Sequence, residues 1–165
     1  MSKTEDNLAA AFAGESQANR KYLAFAAKAE NEGHAGLAKI FRVAAEGETV
    51  HAFRHLGALA GVKETAENLK SAIAGETYEI ETMYPQFIAE IEEGETAAKM
   101  SFTNAEKVEE IHQGMFQTAL SKLEAGEEIL DPDYYVCGVC GYPAEGEAPE
   151  VCPICGAPKG MFKKV

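Results

Sequence analysis

Seven side chains suited to hard metal ions recur along the first 126 residues at spacings that a helix converts into adjacency. Glu48-Thr-Val-His51 and Glu109-Glu-Ile-His112 both read Glu-x-x-His. Residues i and i+3 of a helix project side by side, so each pair can grip one ion from one direction. Glu15 and Glu76 each offer a further carboxylate, and Glu79 adds another three residues beyond Glu76. Two single glutamates plus two Glu-x-x-His pairs form the donor set of di-iron and di-manganese carboxylate bundles. Five carboxylates and two imidazoles favour iron or manganese over a thiolate-preferring metal. Carboxylates around two cations also bring the local charge near neutrality, which lowers the cost of burying them.

A second constellation closes the chain. Tyr135-Val-Cys137-Gly-Val-Cys140-Gly-Tyr142-Pro143 and Cys152-Pro-Ile-Cys155-Gly-Ala-Pro158-Lys159 are two Cys-x-x-Cys-Gly knuckles separated by residues 141–151. Each turn lets both sulfurs of a pair face one tetrahedral ion. Zinc and iron both take this four-thiolate geometry, and spacing alone does not separate a structural zinc from a one-electron iron. Paired spacing of this kind favours a metal over disulfides.

The elements that must carry the first set are four amphipathic helices. Leu8, Phe12, Glu15, Tyr22, Ala26 and Ala29 recur at helical spacing over residues 4–32, and residues 31–36 break the pattern. Leu37, Phe41, Ala44, Glu48, His51, His55 and Leu59 share one face of a second helix ending near Gly61. A third run follows Thr65, a candidate N-cap, and carries Leu69, Ala72, Ile73, Glu76, Ile80, Met83, Phe87 and Ile91 to Gly94. Pro85 inside it predicts a kink or local distortion. The fourth, from Thr96 to Gly126, aligns Phe102, Ala105, Glu109, His112, Phe116, Ala119 and Leu123. Each apolar stripe is interrupted by a carboxylate, where a soluble helix normally keeps Glu outside. Four helices with that feature predict one shared buried site. His55, without a carboxylate at matching spacing, reads as a packed histidine, and His34 falls in a loop.

Residues 127–134 read as a polar linker, and from residue 135 Gly, Pro and Cys dominate. The expected organisation is an all-α four-helix bundle over 1–126, a linker over 127–134 and a small cysteine domain over 135–165. The formal net charge of −12 argues against a nucleic-acid partner, which needs clustered Lys and Arg. No stretch is apolar enough to span a bilayer, and the N-terminus lacks a signal-peptide core, so a cytoplasmic location is expected.

On these residues the chain resembles the rubrerythrin family over essentially its whole length. The order of domains matches, and Cys152-Pro-Ile-Cys-Gly-Ala-Pro-Lys159 followed by Phe162 is similar to rubredoxin rather than to a generic zinc ribbon. Gly75-Glu76-Thr-Tyr-Glu79 and Met83-Tyr84-Pro85 are similar to the family's third helix. The resemblance implies a ferritin-like bundle holding two irons and a rubredoxin-like domain holding one. It puts Glu15, Glu48, Glu76, Glu79, Glu109 and His112 on ligand positions, with Glu48 and Glu109 bridging. His51 falls on the histidine that exchanges with the Glu79 ligand as the iron changes oxidation state. Tyr22 and Tyr84 match tyrosines that hydrogen-bond ligating carboxylates. Cys137, Cys140, Cys152 and Cys155 would hold the third iron, in a domain whose inter-knuckle loop is shorter than in free rubredoxins.

The activity implied is reduction of hydrogen peroxide to water, with electrons entering through the four-cysteine iron. Without Gly-x-Gly-x-x-Gly or a P-loop, the NAD(P)H-linked donor is expected on a separate reductase or rubredoxin. Two alternatives stand beside it: a di-iron oxidase or ferroxidase, and a non-enzymatic iron-binding protein with structural zinc in the cysteine site. The connector between helices two and three adds an expectation about assembly. Residues 61–65 span at most about 17 Å, whereas a 25-residue helix is about 38 Å long. Either the bundle is a plain up-down-up-down one, or helices three and four pack on another chain's first two. A domain-swapped homodimer is the expectation.

Overall fold

The computed structural model describes residues 2–165. The chain divides into two compact units, one ending at Lys63 and the other spanning Glu64–Val165. Among the described residues no helix is long and apolar enough to cross a membrane.

The first unit is a helical hairpin. Helix α1 (Lys3–Asn31) opens on a capping box, in which Ser2 Oγ accepts from the Glu5 backbone N–H and the Glu5 carboxylate accepts from the Ser2 N–H. Such a cap stabilises the first turn by about 1 kcal/mol. Gly33 takes φ 82 in the turn that follows, a conformation that costs glycine nothing. Helix α2 (Ala35–Ala58) then packs on α1 through small side chains. Ala26 and Ala29 on α1, and Ala38, Ala45 and Ala52 on α2, are buried. The three on α2 recur every seven residues and so form one stripe. Tyr22, Phe25 and Phe41 add an aromatic cluster, with ring centroids 5.6–6.5 Å apart.

The second unit begins with α3 (Thr65–Tyr78), whose N-cap is Glu64; Thr65 is its first residue and not the cap. The helix passes into a π-helical turn at Glu79–Met83 and resumes as α4 (Tyr84–Ala89). Pro85 explains the change of winding. It has no N–H for the helical ladder, and Tyr84 N–H instead reaches back five residues to the Glu79 carbonyl. The run ends at Ala89 rather than at Gly94. Helix α5 (Thr96–Ala125) packs on α3 and α4. Gly126 ends it in a left-handed conformation, with Gly126 N–H on the Leu123 carbonyl and Glu127 N–H on that of Lys122.

In the cysteine domain of this unit, β1 (Tyr134–Cys137), β2 (Pro143–Glu145) and β3 (Phe162–Lys164) form a three-stranded antiparallel sheet in the order β2-β1-β3. Its core is Cys137, Cys152 and Ala157, covered by Tyr142, Ile154 and Phe162. The Tyr142 and Phe162 rings meet edge to face at 6.4 Å. So small a core holds little apolar area, and domains of this size commonly take added stability from a metal.

Candidate metal centres

The two cysteine knuckles have the same backbone pattern. Gly141 N–H donates to the Cys137 carbonyl at 2.9 Å, and Cys137 N–H donates to that of Tyr142. Gly156 N–H donates to the Cys152 carbonyl at 3.0 Å, and Cys152 N–H donates to that of Ala157. Each turn closes on a glycine with positive φ, 90° at Gly141 and 77° at Gly156. The four sulfurs converge: Cys137 Sγ lies 3.7 Å from Cys155 Sγ, and Cys140 Sγ lies 3.6 Å from Cys152 Sγ. A tetrahedral ion with metal–sulfur bonds of about 2.3 Å has sulfur–sulfur edges of about 3.8 Å, so the thiols fit one.

Their electrostatics point the same way. Burial works against ionising Cys137, but the backbone N–H groups of Cys140 and Val139 and the Cys155 thiol outweigh it and pull Cys137 down to about 7. Burial pushes Cys140 and Cys155 up. One thiolate is stabilised while its neighbours resist losing protons. A cation is what allows all four to ionise together.

The carboxylate–histidine donors gather in two groups of three, one in each unit. In the first, Glu15 on α1 meets Glu48 and His51 on α2. His51 Nδ1 lies 3.0 Å from Glu48 Oε2 and 3.9 Å from Glu15 Oε1. In the second, Glu76 on α3 meets Glu109 and His112 on α5, with His112 Nδ1 2.7 Å from Glu109 Oε2. Within each group the donor atoms lie within 4.8 Å of one another, close enough for a single ion. The expected Glu-x-x-His pairing is therefore realised on both helices. Burial is less than the sequence led us to expect. The carboxylates are half-buried, and the His51 side chain is 57% exposed.

Glu79, at the start of the π turn, is not one of the three converging groups but lies close enough to feel them. Burial raises its pKa first and the Glu109 charge next. Glu76 is raised by burial, then by Glu109. Burial also raises Tyr84, followed by the charges of Glu79, Glu109 and Glu76, which puts its hydroxyl beside this cluster. Tyr22 instead has its ring against Phe25 and Phe41. Its hydroxyl has no carboxylate partner among the described residues.

One contact was not visible in the sequence. The first knuckle lies against α5: a Cβ built on Gly141 would stand 3.7 Å from Val108 Cγ1. Val108, directly before Glu109, is only 2% exposed. Composition gives no signal for it, because Val108 reads as one more apolar residue.

Comparison with known proteins bears on this arrangement directly. A family model described as rubrerythrin matches residues 6–120, and one described as the rubrerythrin rubredoxin-like domain matches 135–163. The chain belongs to the rubrerythrin family. It is 34% identical to Rubrerythrin-2 of Clostridium acetobutylicum, covering 97% of this chain and 95% of that protein. It is 36% identical to a rubrerythrin of Porphyromonas gingivalis over 98% of this chain and 90% of that one. Against nigerythrin of Nitratidesulfovibrio vulgaris the identity is 34%, over 98% and 86%. Among solved structures it is similar to nigerythrin in its partially reduced state, at 33% identity and TM-score 0.56, covering all of this chain and 88% of that one. The chain therefore pairs a ferritin-like di-iron donor set with a rubredoxin-like four-cysteine site, and iron is the metal expected at both. Oxidoreductase chemistry is consistent with that membership.

Proposed function

We propose that this member of the family is a peroxidase that reduces hydrogen peroxide to water, fed with electrons through its four-cysteine iron. The observation that carries the reading is a pair of matched half-sites, each a Glu-x-x-His plus one further Glu, in a chain that also holds a four-thiol cage. When bound, iron would supply the two electrons that turn one hydrogen peroxide and two protons into two waters, and the four-thiolate ion would restore them singly.

The chain's own groups have definable parts. Glu15, Glu48, Glu76, Glu109 and His112 would hold the metal, and Glu79 and His51 would be the exchanging pair of donors. Tyr84, with its pKa raised, keeps its proton at neutral pH and can donate a hydrogen bond from Oη to a peroxide oxygen. Cys137, Cys140, Cys152 and Cys155 hold the electron-carrying ion. The route we favour for the electrons runs through the approach of Gly141 to Val108, next to Glu109. Functionally the chain divides as bundle 1–126, linker 127–134 and cysteine domain 135–165. The donor is a separate NAD(P)H-linked reductase or rubredoxin, and four free cysteines suit the reducing cytoplasm.

Assembly follows from exposed apolar surface. Ile40, Val43, Val50 and Phe53 on α2 are each more than half exposed, and a helix face of that kind calls for a partner. The occupant we favour is a second copy, in a homodimer that exchanges helices, because each unit holds only half of the donor set.

The test is steady-state peroxide consumption under anaerobic conditions with a nicotinamide-linked reductase. His112→Ala should lower turnover by at least about 100-fold, because even outer partners of a ligand are worth about 10–100-fold. Consumption of oxygen but not of peroxide would make the protein an oxidase or ferroxidase instead.

A further inference from the structure

The two half-sites share a feature beyond their ligands. In the first unit Asn19 Nδ2 donates to Thr49 Oγ1 at 2.8 Å and to the Ala45 carbonyl at 2.7 Å, and Thr49 Oγ1 donates to that same carbonyl at 3.1 Å. In the second, Gln113 Nε2 donates to Thr77 Oγ1 at 2.7 Å, and Thr77 Oγ1 donates to the Ile73 carbonyl at 2.7 Å. The placement relative to the donors is the same in both. Each threonine directly follows a ligand glutamate, Glu48 or Glu76. Each amide lies four residues after the ligand glutamate of the facing helix, Glu15 or Glu109. All four clamp residues are half-buried.

We propose that Asn19–Thr49 and Thr77–Gln113 are positioning residues, a matched pair of clamps that set the register of each hairpin and so hold its metal ligands together. This rests on the di-iron reading of the two groups, not on the identity of the oxidant. The chemistry makes the direction of each bond definite. A threonine hydroxyl has one proton, and here it goes to the carbonyl four residues back, so the oxygen can only accept from the amide across the interface. The bond therefore ties one particular turn of one helix to one particular turn of the other.

The packing explains why a tie is needed. Beside Glu48, α1 meets α2 through the small side chains Ala45 and Ala52, which do little to resist sliding; the large rings of Tyr22 and Phe41 lie seven residues from Glu15 and Glu48. In the second unit α3 has no fully buried residue among those described, and Val108, the buried residue of α5, lies against Gly141. Metal ligation is intolerant of such slack, since ligand distances must hold within about 0.2 Å. A clamp one position from Glu48, or from Glu76, removes it where it matters.

The experiment compares Thr49→Val/Thr77→Val with Thr49→Ser/Thr77→Ser in the full chain, iron-loaded and reduced. Valine keeps the β-branched shape and removes only the hydroxyl, whereas serine keeps the hydroxyl. Loss of bundle iron to a ferrous chelator is followed by metal analysis and Mössbauer spectroscopy. The ferric-thiolate colour of the cysteine site serves as an internal reference. The Val variant should lose bundle iron on the order of tenfold faster, the Ser variant should match the parent, and the cysteine site should be unchanged in both. Bundle iron retained as in the parent by the Val variant would overturn the proposal. So would equal loss from Ser and Val, or loss from both sites together. If the double Val variant does not fold, the single variants, each retaining one clamp, make the same comparison. Peroxide turnover is not the readout, so failure of the peroxidase reading leaves this result standing.

Discussion

At the level of single residues, the candidate ligands are shaped by the groups around them. Glu76 and Glu79 have folded-state pKa values raised above the ordinary 4.5, by burial first and then by Glu109. The metal-free fold therefore holds these protons more tightly than the unfolded chain does. The stability they contribute is full below the ordinary glutamate value and is lost as pH rises through the raised one. The thermal midpoint of the metal-free protein should accordingly fall as pH rises above the ordinary glutamate value of 4.5 and through the raised one, and Glu76→Gln should flatten that slope. Iron loading should reverse the trend, because ligation needs the deprotonated groups. A slope unchanged by Glu76→Gln would place the pH dependence elsewhere. At the other site, Cys152→Ser breaks the four-thiol cage and should abolish ferric-thiolate colour while the bundle still loads iron, as metal analysis would show. The adjacency of these donors was legible in the sequence because helical spacing alone puts Glu48 beside His51 and Glu109 beside His112. The clamps were not, since Asn19, Thr49, Thr77 and Gln113 read like ordinary polar residues of a helix until the partner helix is in place.

Among the elements, α2 and the third helical run repay attention. The alanines at 38, 45 and 52 are buried against α1, so a larger side chain there must push the helices apart. Ala45→Leu should cost about 1–3 kcal/mol by overpacking, and the midpoint should drop by roughly 2–4 °C for each kcal/mol. Thermal unfolding checks it, and an unchanged midpoint would mean that the two helices are not in tight contact there. In the third run, Pro85 foretold the distortion, and a π turn begins at Glu79 itself. What periodicity could not give was the end of the run. Ile91 continues the stripe, yet the helix stops at Ala89 because residues 90–95 turn toward α5. The Glu64 cap was likewise hidden behind Thr65, which is the commoner capping type.

For the molecule as a whole, the family and the pairing of a helical donor set with a four-cysteine domain were readable from motifs alone. The division after Lys63 was not, since it depends on which helices pack together and no local pattern records that. The exposed α2 residues Ile40, Val43, Val50 and Phe53 carry a prediction at this scale. Sedimentation at micromolar concentration should give a species of twice the 17.7 kDa chain mass, and Phe53→Glu should shift it toward the monomer. A parent protein that sediments at 17.7 kDa would contradict the exchanged dimer.

In the function proposed here, peroxide is the oxidant and the two kinds of iron site exchange electrons. Anaerobic rapid mixing of the fully reduced, iron-loaded protein with hydrogen peroxide, and separately with dioxygen, tests both parts by the return of ferric-thiolate colour. Fast return with peroxide and slow return with dioxygen is the predicted result. The reverse order, or no colour with either oxidant, would contradict it.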